Sequence, residues 1–238
     1  MFFFDPTYLL FLLPAIVFTI WAQSKVRGTY AKYSKIGSAA GMTGQQAARL
    51  LLDSVGVPEV EIVATPGQLT DHYDPSRKLL RLSEGVFDSP SLAALAVVAH
   101  ETGHAIQDKV RYPFLVFRTA MVPATNFGST FGYLLIMAGF MLAVFGGGPL
   151  ALQIAWLGVI LFASTLAFTI VTLPVEFNAS KRALALLEAN AIVTPEERQG
   201  AKRVLDAAAL TYVAAMATSL LTLLYFVFRL LALGGRRD

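Results

Sequence analysis

Thr119-AMVPATNFGSTFGYLLIMAGFMLAVFGGGPLALQIAWLGVILFASTLAFTIVTLP-Val175 contains no Asp, Glu, Lys or Arg. A helix that crosses a bilayer needs about 20 apolar residues, so this run is long enough for two crossings. Gly146-Gly147-Gly148-Pro149 interrupts it near its centre and predicts a tight hairpin. Two further runs, Pro6–Ser24 and Ala207–Phe228, are also free of charge. The sequence therefore predicts four transmembrane helices, at 6–24, 120–145, 150–173 and 208–230. Composition agrees: 55% of residues are hydrophobic and 15% charged, against about 25% charged in an ordinary soluble domain. The first run lacks a basic leader and is followed by no A-x-A-like cleavage site, so it reads as an uncleaved anchor. Gly128 and Gly132 form a G-x-x-x-G pattern in the second span. That pattern serves either a homo-oligomer contact or close packing within the four-helix bundle.

Basic residues near the span ends set the orientation. Lys25, Arg27, Lys32 and Lys35 follow the first span, and Lys109, Arg111 and Arg118 precede the second. Lys181 and Arg182 follow the third, and Arg198, Lys202 and Arg203 precede the fourth. The Gly-rich hairpin carries no charge, and only Asp5 precedes the first span. Segments 25–118 and 176–206 are thus expected in the cytoplasm, with both termini outside; Arg236 and Arg237 run against this but are outnumbered. The expected location is the inner (plasma) membrane. The absence of cysteine fits a reducing compartment. The excess of 19 Lys+Arg over 16 Asp+Glu reads as charge at a lipid surface, not as a nucleic-acid footprint.

The segment 25–118 has enough chain for a small α+β unit. Thr43-Gly44-Gln45-Gln46 reads as a capping box, opening a helix that ends at Gly56 before Pro58. Glu59–Val63 and Lys78–Ser83 read as strands, and Asp71–Pro75 between them as a polar turn. Ser89 as N-cap with Pro90 in first position predicts the start of a long apolar helix. That helix carries His100-Glu101-Thr102-Gly103-His104, an H-E-x-x-H motif in a chain with three histidines. Positions four apart share a helix face, so two imidazoles there can grip one Zn²⁺ while the glutamate reaches a water beside it.

A catalytic zinc takes three protein ligands and leaves one position open. His72 is the one remaining histidine. Asp108 lies eight residues beyond His100, about 12 Å along a helix, too far to share the ion. Glu176 lies past two spans from His104, and an even number of crossings returns the chain to the same side. It is a plausible third ligand. It equally suits the N-terminus of a new helix, predicted at 175–190 after Pro174, through the helix dipole.

Three motifs together carry a family resemblance. They are Leu69-Thr70-Asp71-His72-Tyr73-Asp74-Pro75, then Ala99–Gln107 around the H-E-x-x-H, then Leu173-Pro174-Val175-Glu176-Phe177-Asn178-Ala179-Ser180-Lys181-Arg182-Ala183. Over nearly its whole length the chain resembles the bacterial membrane-bound neutral zinc metallopeptidases, the YugP-like family. It is more distantly similar to the HtpX-type heat-shock proteases and the CAAX prenyl proteases. The resemblance implies Glu176 as the third ligand beside His100 and His104, and a cytoplasmic, zincin-like catalytic unit formed by segments 25–118 and 174–206 within one integrated domain. The chain departs from the distant relatives at Ser180, where they carry Asp, and at Asn178, where an acidic residue is expected; both positions bear on the groups that orient ligands.

The resulting expectation is a mainly α membrane protein that hydrolyses peptides or membrane-protein segments. Glu101 acts as the general base, moving a proton from water to the leaving amine. His72, Tyr73 and Arg182 are candidates for stabilising the oxyanion, and the 78–83 strand is a candidate edge for an extended peptide. The alternative is a catalytically silent membrane scaffold that keeps the metal site. Structural zinc sites use four ligands, mostly Cys and His, and this chain has too few. A transporter is disfavoured because the 119–175 run carries no intramembrane charge.

Overall fold

A computed structural model describes residues 6–235; Asp5, Arg236 and Arg237 of the topology argument lie outside the described residues. The elements run in the order α1 (Pro6–Tyr33), α2 (Gly44–Ser54), β1 (Glu61–Thr65), β2 (His72–Asp74), β3 (Leu79–Ser83), α3 (Glu84–Phe87), α4 (Leu92–Lys109), α5 (Pro113–Val144), α6 (Gly148–Ala189) and α7 (Pro195–Gly234). Helices α1, α5, α6 and α7 are each long and apolar enough to cross a membrane. The chain forms two compact units. One comprises Met1–Trp21, Phe117–Leu173 and Tyr212–Asp238; the other comprises Ala22–Val116 and Pro174–Thr211.

The first unit packs helix on helix. Ile136, Phe140, Ala155, Val159, Tyr225, Phe226 and Leu230 form its buried cluster. The G-x-x-x-G pattern is used here within the chain. A Cβ on Gly128 would meet the Leu161 carbonyl oxygen at 2.6 Å, and one on Gly132 would meet the Gly158 carbonyl oxygen at 2.8 Å. Only glycine lets the α5 and α6 backbones come this close.

The second unit is α+β. Its three-stranded sheet has the order β1-β3-β2, with β1 parallel and β2 antiparallel to β3. Leu80 and Leu82 of β3 are fully buried beside Leu51 and Leu52 of α2 and Leu95 and Val98 of α4. The capping box at the start of α2 forms as the sequence predicts: the Thr43 amide donates to Gln46 Oε1 at 2.9 Å, and the Gln46 amide to Thr43 Oγ1 at 3.4 Å. Gly56 takes φ +70° just past the helix, a conformation open to glycine at no steric cost.

Four expectations are corrected. Residues 72–74 of the predicted turn are a strand, and the turn itself sits three residues later. There Asp74 Oδ1 accepts from the Ser76 amide at 2.9 Å and the Ser76 hydroxyl at 2.6 Å. The 78–83 strand is central, so its edges are closed by β1 and β2 and cannot take a peptide. Helix α4 starts at Leu92 with Ser91 as its cap, not at Pro90 with Ser89. Pairing holds the preceding residues extended: the Ser38 amide donates to Pro90 O at 3.0 Å, and the Leu92 amide to Ile36 O at 2.9 Å. No new helix begins after Pro174, because α6 runs unbroken through it. A proline removes a single backbone hydrogen bond, and such a loss is tolerated in long helices of this kind.

Candidate metal centre

The two histidines of the motif sit on one face of α4, with ring centroids 4.8 Å apart and planes near perpendicular. Glu176 of α6 lies against them, although 72 positions separate it from His104 in the sequence. Its Oε2 is 3.2 Å from His100 Nε2 and 3.5 Å from His104 Nε2. Glu176 is 2% exposed, and each imidazole side chain 12%. The unbroken α6 removes the helix-N-terminus explanation for this glutamate, which sits in the middle of a helix.

Gly103 makes the approach possible. A Cβ there would lie 2.6 Å from the Ala179 carbonyl oxygen, so α4 and α6 meet backbone to backbone beside the three side chains. Sequence reasoning passed over this residue. The available signal was an isolated glycine within an Ala/Leu/Val helix, which costs about 1 kcal/mol against alanine and so marks a packing need.

Each histidine is held from behind. Ser180 Oγ is 3.2 Å from His100 Nδ1, and Gln107 Oε1 is 2.9 Å from His104 Nδ1. Gln107 Nε2 donates to Val175 O and to Asn178 Oδ1, and Arg182 Nε donates to the same Asn178 oxygen. The two positions where the chain departs from the expected pattern, Asn178 and Ser180, are thus both in contact with this orienting layer. Burial alone would lower the His104 pKa. The hydrogen bond to Glu176, with the Glu101 and Glu176 charges and Gln107, reverses this and holds it above the ordinary value.

Glu101 is buried beside the cluster, 8% exposed. Its Oε2 accepts the Tyr73 amide of β2 at 3.0 Å. Tyr73 pairs with Leu80 on the β3 side, and its amide points out from the sheet edge to the glutamate. The Tyr73 hydroxyl donates to Asp108 Oδ2 at 2.7 Å, and Asp108 also pairs with Lys78. Burial first, and then the Asp108 carboxylate, push the Tyr73 phenol well above its ordinary pKa, so it remains a donor. Asp108 is therefore a strut for β2, away from the His–His–Glu group. His72 is exposed, and its Nδ1 is engaged by Thr70 O at 2.8 Å. It is not part of the group. Arg182 reaches the site through Asn178 and Gln107.

The donor set fits zinc. Tetrahedral ligands at about 2.0–2.2 Å from the ion stand roughly 3.3–3.6 Å from one another, and the two Glu176–imidazole distances, 3.2 and 3.5 Å, are close to that spacing. All three ligand atoms lie within 4.8 Å of one another. Among the described residues the group has three members, one fewer than a closed structural zinc site requires.

The profile of a family described as "putative neutral zinc metallopeptidase" matches residues 8–231. The chain is 42% identical over 226 residues to a Bacillus subtilis (strain 168) protein named "Putative membrane protease YugP", covering 95% of this chain and 96% of that one. No solved structure matches the chain. With the match spanning nearly every element and the His–His–Glu group inside it, the chain belongs to the family described as "putative neutral zinc metallopeptidase".

Proposed function

We propose that this protein is a zinc-dependent endopeptidase of the plasma membrane. Its active site faces the cytoplasm, and it cleaves peptides or membrane-protein segments. The observation that supports this best is the convergence of His100, His104 and Glu176 beside the Glu101 carboxylate. His100, His104 and Glu176 would hold the zinc, which when bound would supply Lewis-acid polarisation of a carbonyl and a water acidified to near neutral pH. Glu101 keeps one oxygen on the Tyr73 amide and offers the other, Oε1, to the attacking water. It takes a proton there and delivers it to the leaving amine nitrogen. The Tyr73 amide keeps the carboxylate from swinging away between the two transfers. His72 donates from Nδ1 to Thr70 O, which leaves Nε2 of the neutral ring without a proton, so His72 is proposed to help hold an oxyanion only in its doubly protonated form. The basic residues flanking the four spans support the cytoplasmic orientation.

The test is metal analysis of detergent-purified protein beside a general peptidase assay, on wild type and Glu101→Gln. Wild type is expected to hold about one zinc per chain, as one three-ligand site requires, and to cleave in a chelator-sensitive way. Glu101→Gln is expected to keep its zinc and lose activity by two orders of magnitude or more. A zinc-loaded wild type that cleaves nothing would favour the silent scaffold. A Glu101→Gln variant with more than about a tenth of the activity would remove the general base, since that factor is worth only about 1.4 kcal/mol.

A further inference from the structure

Gln107 is fully buried, one of the largest side chains in the protein with no exposure. A buried amide with unpaired atoms is costly, and here every polar atom is used. Nε2 donates to Val175 O at 2.8 Å and to Asn178 Oδ1 at 3.0 Å. Oε1 faces His104 Nδ1 at 2.9 Å.

The polarity of this chain of contacts is forced from two ends. A peptide carbonyl can only accept, so the amide atom facing Val175 must be nitrogen. A guanidinium can only donate, so the Asn178 atom facing Arg182 Nε at 2.7 Å must be oxygen. That same oxygen faces Gln107, which again requires nitrogen there. The Gln107 oxygen is what remains for His104. An amide oxygen only accepts, so His104 Nδ1 must carry a proton. Nε2, the atom turned to Glu176, is then the one ring position left for a metal. His100 is under weaker control, because the Ser180 hydroxyl at its Nδ1 can either donate or accept.

We propose that Gln107 is a positioning residue that commits His104 to metal binding through Nε2, with Val175 O and the Asn178–Arg182 pair holding its amide in the required sense. The proposal rests on the zinc reading of the site, and its test separates the two. Histidine-selective ¹⁵N NMR on the full-length protein reads the protonation of each ring nitrogen, and three histidines give three separable rings. His104 Nδ1 is expected to be protonated in the metal-free protein and to stay so after zinc is added. Chelator competition then compares two variants. Gln107→Met keeps the bulk but removes the acceptor, and should weaken zinc binding about ten- to hundredfold. Gln107→Glu keeps the acceptor toward His104 when its other oxygen carries a proton to donate to Val175 O, and in that form should bind zinc closer to wild type than Gln107→Met does. A role in packing alone predicts the reverse order, with methionine harmless and a buried carboxylate damaging. An unprotonated His104 Nδ1 in wild type, or wild-type zinc affinity in Gln107→Met, overturns the proposal. The wild-type spectrum decides even if neither variant folds. A wild type that takes up no zinc defeats the zinc reading instead, and the metal-free spectrum still judges the hydrogen-bond chain.

Discussion

Gly103→Ala adds one methyl group at the point where α4 meets α6. The new Cβ would stand 2.6 Å from the Ala179 carbonyl oxygen and 3.2 Å from its Cα and carbonyl carbon. Ordinary contact begins near 3.4 Å, so the closest pair is short by about 0.8 Å. All the opposing atoms are backbone, and no rotamer change can relieve them. Overpacking of this kind costs about 1–3 kcal/mol, and replacing a helical glycine by alanine returns up to about 1 kcal/mol. The net of about 0–2 kcal/mol leaves a domain of ordinary stability folded. The metal centre is less tolerant. His104 directly follows Gly103, and Glu176 lies one turn before Ala179, so the helix separation passes straight to the ligand gap. Ligand distances are held to about ±0.2 Å, several times less than the shift required. Zinc affinity is expected to fall about ten- to hundredfold, while the thermal melt of the metal-free protein moves only modestly. The assay is chelator competition on detergent-purified wild type and variant, with the melt recorded in parallel. Zinc affinity within about threefold of wild type, with an unchanged melt, would refute the claim that the Gly103–Ala179 contact sets the ligand spacing.

Glu176→Ala is expected to lose zinc, because it removes one of the three proposed ligands, whereas Asp108→Ala and His72→Ala retain it; a metal-free His72→Ala beside a loaded Glu176→Ala would make the site a three-histidine one. Asp108→Ala should also lose about 1–3 kcal/mol of stability in chemical unfolding, since it leaves the half-buried Tyr73 hydroxyl without its acceptor; an unchanged unfolding midpoint would contradict this. Single cysteines at Ala40 and at Phe145, which is 78% exposed in the α5–α6 hairpin, should label from opposite sides of the membrane in this cysteine-free chain; labelling from one side refutes the four-crossing topology. Gly132→Leu should sharply reduce the folded yield, because any side chain there meets α6 backbone within 2.8 Å; a normal yield and melt would exclude that close packing.

The four helices long and apolar enough to cross a membrane were legible in the sequence because burying a charge in hydrocarbon is costly, and a charge-free run reports that cost residue by residue. The pairing of His100 with His104 was legible because a helix has a fixed pitch. The Thr43 capping box was legible because its partners lie three residues apart. Glu176 came forward only through the parity of membrane crossings and a family resemblance, and its helical setting was misread because Pro174 resembles a boundary. Its place against the imidazoles depends on a backbone contact between Gly103 and Ala179; an isolated helical glycine marks a packing need at Gly103, but no local pattern names its partner. The Tyr73 amide on Glu101, and the Gln107 amide on His104, depend in the same way on where β2 and α6 lie beside α4. A hydrogen bond between groups far apart in sequence leaves no periodicity behind. The sequence thus determined which residues could bind a metal and which segments could cross a membrane, since both follow from side-chain chemistry and helical pitch. The tertiary structure alone decided which candidates meet, because distances of 3.2–3.5 Å between α4 and α6 are set by helix packing and not by the residues that use them.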